Sequence, residues 1–414
     1  MHQNPFTSSR FGTIWSKHFN QGMPIYAFDF IEGVKFVKKT LPGLYVNVGK
    51  NLTKGISYDL NTNHSDFKGK TFLIYDVPSY FNIKPFVVQS ESALKLKSIF
   101  QYHGFLMDIT SYTDHESYIK DQFSSKNRRE FRSNQRRLET CFDVRYEFIH
   151  EAISESKFEL LFNQFYQLLT ERFQDKKVNY HHLSQHKWAF YSELVFEMLK
   201  EQKASLLVVY KNEQPIGITL NFHSESVLFE TITVFDPDYY KFSIGKTSII
   251  KLLEWCFENN YRVSDFSKGD FEYKHKWSNL TYDFNYHILY DSKSIRSRLV
   301  ANLVSRYFKL KLYLRTKNVN ELYRKLKFMS SGSKSITKNT PTKVSFEKLT
   351  DYHADQNSTE IEHNDPQYRF LLQYVYTFLF ANPEPESNIK VYQELNKKSF
   401  VICGSEKAQR IMLN

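Results

Sequence analysis

Three apolar runs joined by two tight polar turns, then a break and a single helix, constrain this chain more than any other feature. The runs are residues 204–210, 216–222 and 227–234, and the turns are Asn212-Glu213-Gln214-Pro215 and Ser224-Glu225-Ser226. Short stretches rich in β-branched and aromatic residues at hairpin spacing read as antiparallel strands. Asp236-Pro237-Asp238 interrupts the pattern, 243–258 reads as a helix, and 263–266 and 284–290 read as further strands. A helix at 188–199, with Phe190, Leu194, Phe196 and Met198 among its apolar residues, precedes the set. Hairpins, a crossover helix and a returning strand predict one compact α/β domain.

Upstream the signals are shorter. Strands are expected at 71–75, 105–109 and 144–148, a turn at Pro42-Gly43, and an amphipathic helix at 155–173. Residues 117–140 read as one polar, Arg-rich helix, and 330–343 read as a linker. The chain divides into units at 1–150, 151–292, 293–330 and 331–414, the last without a usable motif. Its 414 residues suffice for a large core without staples. Aromatics reach 17%, an excess that suits either a groove for a long ligand or simple compositional drift.

Three cysteines, Cys141, Cys256 and Cys403, exclude a disulfide framework and a Cys-based metal pair. His181 and His182 lack partners at metal-ligand spacing, so no metal site is expected. The N-terminus has no long apolar run, and the apolar segment 370–381 is too short to span a bilayer. These features place the protein in a reducing cytoplasm. Charge is uneven: residues 291–340 hold 13 Lys plus Arg against 2 Asp plus Glu, and that +11 equals the net charge of the whole chain. Partner arguments from charge therefore belong to that segment.

Two local patterns carry chemistry. Ser243-Ile244-Gly245-Lys246-Thr247 looks like the end of a phosphate-binding P-loop, but Tyr240 stands where that motif needs glycine, so an ATPase reading is rejected. What remains is a helix start whose free N–H groups and dipole suit an anion such as the coenzyme A pyrophosphate, or else a Ser243 cap on an ordinary helix. The second pattern is the polar cluster 267–277. Gly269 permits a sharp turn, Tyr273 can protonate a leaving thiolate, Asp270 or Glu272 can take a proton from an acceptor, and Lys274 can offset developing negative charge. The same spacing also fits a charged turn whose aromatics seal the sheet.

Residues 265–279 (DFSKGDFEYKHKWSN) and 105–139, with its S-x-K-x-R-R-x-x-R stretch at 124–132, resemble the acetyltransferase-like proteins grouped with the cellulose-biosynthesis CelD/BcsL proteins. That group is part of the GNAT superfamily and is similar to the Fem aminoacyltransferases. The resemblance covers about residues 20–320. It implies an α/β fold of tandem, Fem-like GNAT domains, the second more complete, with a basic helical extension. It also implies acyl transfer from acyl-CoA or acetyl-CoA to an amine or hydroxyl of a small-molecule or glycan acceptor, in cell-envelope or exopolysaccharide metabolism. Gly269, Asp270, Tyr273 and Lys274 match the family's G-[DE]-x-x-Y-K pattern, and Asp265 matches its leading Asp. With Glu272 these make the expected catalytic set, while Ser243, Gly245, Lys246 and Thr247 make the cofactor set. The usual pyrophosphate loop has more than the single glycine found here. A Fem-like enzyme draws its acyl group from aminoacyl-tRNA, and a binding protein that keeps the fold without catalysis is the third alternative.

Two basic elements complete the reading. Arg129, Arg132 and Arg136 form an i, i+3, i+7 stripe, either an acceptor-binding surface together with Lys268, Gly269 and Trp277, or a solvated helix face. In 295–329, Leu299, Leu303, Tyr307, Leu310 and Tyr313 recur at helical spacing. That pattern predicts an apolar side packed on the domain and a basic side facing either solvent or the anionic lipid of the inner membrane.

Overall fold

The structure, a computed structural model, describes residues 4–50, 52–61, 63–81, 93–175, 183–317, 344–349, 352, 358–395 and 398–413. The expected linker at 330–343, the basic stretch 318–329 and His181 and His182 lie outside the described residues. α1 (Ser9–Phe19) is followed by β1 (Ile25–Phe28), β2 (Ile31–Lys38), β3 (Leu44–Asn47), β4 (Asp59–Leu60), β5 (Thr71–Pro78) and β6 (Leu94–Asp108). Then come α2 (His115–Gln122), α3 (Ser125–Cys141), β7 (Val144–Ile149), α4 (Glu155–Asp175) and α5 (Gln185–Lys200). β8 (Ala204–Lys211), β9 (Gln214–His223) and β10 (Val227–Phe235) lead into α6 (Ile244–Glu258), β11 (Val263–Lys268), α7 (Glu272–Trp277), β12 (Leu280–Asp291) and α8 (Ile295–Thr316). The C-terminal part comprises β13 (Val344–Leu349), β14 (Ser358–Ile361), α9 (Leu372–Ala381), β15 (Lys390–Glu394), β16 (Ser399–Cys403) and β17 (Ala408–Leu413).

One mixed sheet runs through both N-terminal units in the order β1-β2-β3-β5-β12-β6-β11-β10-β9-β8-β7, with β4 against β2. Its parallel pairs are β3 with β5 and β10 with β11. β12 lies between β5 and β6, so a late strand joins the sheet of the N-terminal third. Alternating side chains explain why β8 reads as a continuous apolar run. Leu206 and Val208 pack with Phe162, Phe165 and Leu194 of α4 and α5, whereas Leu207 packs with Leu252 and Leu253 of α6 on the other face. The aromatic excess serves the core: the Phe72 ring centre lies 4.7–5.1 Å from those of Phe28, Phe30 and Phe36.

Three expectations change. The helix read over 117–140 is two, because the backbone turns extended at Phe123 and Ser124, whose side chain accepts the Asn127 N–H at the start of α3; Asp114 and Ser117 cap each other at the start of α2. The strand expected at 105–109 is the end of the 15-residue β6. On α8 the predicted inward stripe points outward. Val300, Ala301, Val304 and Phe308 pack on Leu73, Tyr75, Tyr286 and Ile288 instead, while Leu299, Leu303, Tyr307, Leu310 and Tyr313 are exposed.

The C-terminal part forms a second, five-stranded antiparallel sheet with α9. Val375, Tyr376, Phe378 and Leu379 of α9 bury against Leu138, Phe142, Tyr239 and Phe242. Arg137 donates to the Phe380 carbonyl and lies over its ring. The tail therefore buttresses α3 and the turn Pro237–Phe242 that leads into α6.

Candidate active site

Strands β10 and β11 pair at only three registers, Val227↔Val263, Leu228↔Ser264 and Phe229↔Asp265, although both continue beyond them. Past that point they diverge, because each bulges. β10 skips a register against β9 between Glu230 and Ile232, and β11 skips one against β6 between Asp265 and Ser267, where Ser267 has φ +58°. Bulges bend a strand and redirect its side chains. A cavity of about 580 Å³ opens along β10 beyond the paired registers. Glu230, Thr233 and Phe235 of β10 form one wall, and Ser243, Gly245 and Lys246 at the start of α6 another. Asn127, Glu130 and Phe131 of α3, with Tyr273 and Trp277 of α7, add to the lining.

Glu230 is the carboxylate the sequence reading missed. It is 8% exposed, it lines the cavity, and it accepts a hydrogen bond from Thr233 Oγ1 at 2.8 Å. Burial raises its pKa, opposed by the Thr233 bond and by the charges of Lys274 and Lys54. Behind the wall, Asp265 is fully buried and accepts from Tyr282 Oη and Tyr80 Oη at 2.8 Å and from the Ser267 N–H at 2.6 Å. Loss of hydration pushes it up to about 6 despite those donors. Lys54, with Nζ 3.5 Å from the Thr231 carbonyl at the β10 bulge, is lowered to about 7 by burial and then by Lys268 and Lys274.

The expected catalytic residues separate on this frame. Lys274 is buried, and its Nζ donates to the carbonyls of Phe266 at 2.7 Å, Ser267 at 3.4 Å and Lys268 at 2.6 Å. Burial lowers its pKa to about 8, yet its donors tie the end of β11 to α7 and do not point to a ligand. Asp270 is largely exposed, 2.6 Å from His275 and outside the cavity lining. Glu272 is exposed at the rim, paired with Lys276 at 2.7 Å. Tyr273 lines the mouth, 40% exposed and stacked with Phe271. Asp265 supports the wall without reaching the cavity lining.

Gly269 has φ +107°, where a side chain would be strained and its Cβ would meet the Phe271 ring at 2.9 Å. Trp277 is a buried wall residue stacked on Phe131 at 5.5 Å. Lys268 lies over the Tyr102 ring and donates to its hydroxyl at 3.3 Å. Arg129, Arg132 and Arg136 sit on the solvent side of α3, outside the cavity lining, whereas Asn127, Glu130 and Phe131 face inward.

At the start of α6, Ser243 is left-handed (φ +56°) and makes no side-chain cap; its hydroxyl accepts instead from Asn134 Nδ2 at 3.2 Å. The Ser243 cap read from the sequence is therefore replaced by a bridge to α3. Gly245 is required by proximity, since a Cβ would lie 2.8 Å from the Phe235 ring. Lys246 pairs with Glu130 at 2.7 Å, and Thr247 is buried outside the cavity lining. The first N–H groups of the helix, at Ile244 and Gly245, have no intrahelical acceptor, and the first turn carries no acidic residue. The Arg172 guanidinium stacks 4.0 Å over Phe235 at the same wall.

Among the described residues, no group of three or more His, Cys, Asp or Glu side chains is placed to hold a metal, and no helix is long and apolar enough to cross a membrane. No curated protein sequence matches the chain. Solved structures with a similar layout include FemX (TM-score 0.46, 9% identity, covering 68% of this chain and 91% of that one). Others are L-PGS from Bacillus licheniformis (0.40, 14%, 73% and 97%) and a tandem GNAT protein from the clavulanic acid biosynthesis pathway (0.31, 8%, 67% and 93%). These similarities are too loose to bear on function. The family model described as an acetyltransferase (GNAT) domain matches residues 125–275, which run from the start of α3 through the diverging strands to α7. Across that stretch the chain is similar to acetyltransferase domains of the GNAT type.

Proposed function

We propose that this protein transfers an acyl group from an acyl-coenzyme A thioester to an amine or hydroxyl in the cavity walled by β10, α3, α6 and α7. The observation that carries the reading is Glu230, a buried carboxylate facing that cavity across from the first turn of α6. The α6 start fits a pyrophosphate, with free N–H groups, no acidic residue in its first turn, and Lys241 and Lys246 beside it. Gly245 keeps a Cβ from colliding with Phe235 at that position.

Glu230 takes the proton from the acceptor as its nitrogen or oxygen attacks the thioester carbonyl. The new C–N or C–O bond replaces the C–S bond, and the departing thiolate takes the hydroxyl proton of Tyr273 at the cavity mouth. The raised pKa of Glu230 suits it to this work, because a base is most effective when its pKa lies near the working pH. The likeness of 105–139 and 265–279 to envelope and exopolysaccharide acetyltransferases supports a glycan or other envelope acceptor.

Calorimetric titration with coenzyme A and acetyl-coenzyme A tests the donor. Micromolar binding that weakens in Gly245→Val supports it, and no binding at millimolar ligand overturns it. A second reading rests on the exposed row Arg129, Arg132 and Arg136 on the outer side of the helix that lines the cavity. That row suits an aminoacyl-tRNA donor, and activity abolished by ribonuclease would favour it.

A further inference from the structure

Helix α8 has two apolar faces, and the sheet uses only one. Val300, Ala301, Val304 and Phe308 are buried, with the Phe308 ring stacked 4.0 Å from Tyr286. On the opposite side Ile295, Leu299, Leu303, Tyr307, Leu310, Tyr313 and Leu314 are 39–67% exposed. Their spacing of three to four residues keeps them in one row along the helix, which at 1.5 Å per residue is about 33 Å long. A contiguous exposed apolar row of that length marks a docking surface.

The charge around the row says what it docks on. Residues 295–317 contain seven basic side chains, Arg296, Arg298, Arg306, Lys309, Lys311, Arg315 and Lys317, and no acidic one. None of the seven forms an ion pair among the described residues. On a helical wheel Arg298 and Lys309 flank the row on one side and Lys311 on the other, while the exposed Arg296 and Arg306 fall within its arc, so cations both border and interrupt the apolar band, where their long stems can reach toward negative headgroups. A second copy of the chain seated on the row would bring two such sets of cations together, which argues against self-association.

We propose that the outer face of α8 lies in the interface of an anionic lipid bilayer and holds the protein on the membrane without crossing it. The inference rests on α8 alone and stands apart from the acyl-transfer reading.

Flotation of the full chain with vesicles tests it. Binding is expected to vesicles containing phosphatidylglycerol and to be at least about tenfold weaker to pure phosphatidylcholine or at high salt. The double variant Leu303→Glu, Tyr307→Glu should keep its melting temperature, since both side chains are exposed, and lose vesicle binding. Tryptophan at Leu310 should shift its emission to the blue and be quenched by brominated acyl chains. Absence of binding, binding that survives the double variant, or an unquenched Leu310→Trp would each overturn the proposal. So would a dimer by light scattering that the same double variant dissociates.

Discussion

Glu230 and Asp265 are two buried carboxylates on neighbouring strands, at the point where β10 and β11 part, and they are held in opposite ways. Asp265 accepts from two tyrosine hydroxyls and a backbone N–H, which satisfies both oxygens. Glu230 accepts from Thr233 and otherwise faces open cavity. Burial raises the pKa of both, so a perturbed pKa alone does not separate them. What separates them is whether the remaining lone pairs are spoken for: a saturated carboxylate fixes geometry, and one with room in front of it can take a proton.

The comparison breaks most sharply at Glu230. Glu230→Gln keeps the volume and the Thr233 contact, so turnover is expected to fall about 10²- to 10⁴-fold, with the melting temperature nearly unchanged. In the parent protein the acid limb of the rate profile should lie above the ordinary carboxylate range. A variant as active as the parent would remove Glu230 from the chemistry. Lys274→Met should do the reverse. It strips three carbonyls of their donor, so chemical denaturation should show a loss of about 3 kcal/mol.

Asp265 offers a smaller effect with a defined sign. Its folded pKa, about 6, is above that of the unfolded chain, so its contribution to stability is full below the ordinary carboxylate range and is lost as pH rises through 6. Asp265→Asn should flatten the stability profile between about pH 4 and 6, by on the order of 2 kcal/mol, as urea midpoints across that window would show. Asp270→Ala should be the mildest. Its exposed pair with His275 stands clear of the cavity, so both turnover and melting temperature should match the parent.

The hairpins from 204 to 234 and the helix after them were legible because apolar runs at hairpin spacing leave few alternatives. The break between α2 and α3 was hidden in continuous polar sequence, where only the cap at Ser124 marks it. Glu230 had a signal that went unread: a lone carboxylate between Phe229 and Ile232 in an otherwise uncharged strand. Lys274 was visible as a charged residue in a motif, but its commitment to three carbonyls comes from how the chain turns at Gly269. Two apolar rows on opposite sides of α8 present the same periodicity. Periodicity carries no information on which of them faces the sheet.

The position of β12 also bears on how the protein is made. Its register runs from Leu280 to Asp291 along β6 and from Phe284 to Tyr290 along β5, so the middle of the sheet stays incomplete until residue 291 has left the ribosome. Until then β5 and β6 present unpaired edges, and closing the sheet joins segments far apart in the chain. Such long-range pairing folds slowly and leaves strand edges open to other chains. Synthesis of this protein should therefore depend on chaperones that shield those edges, more than its final compactness would suggest.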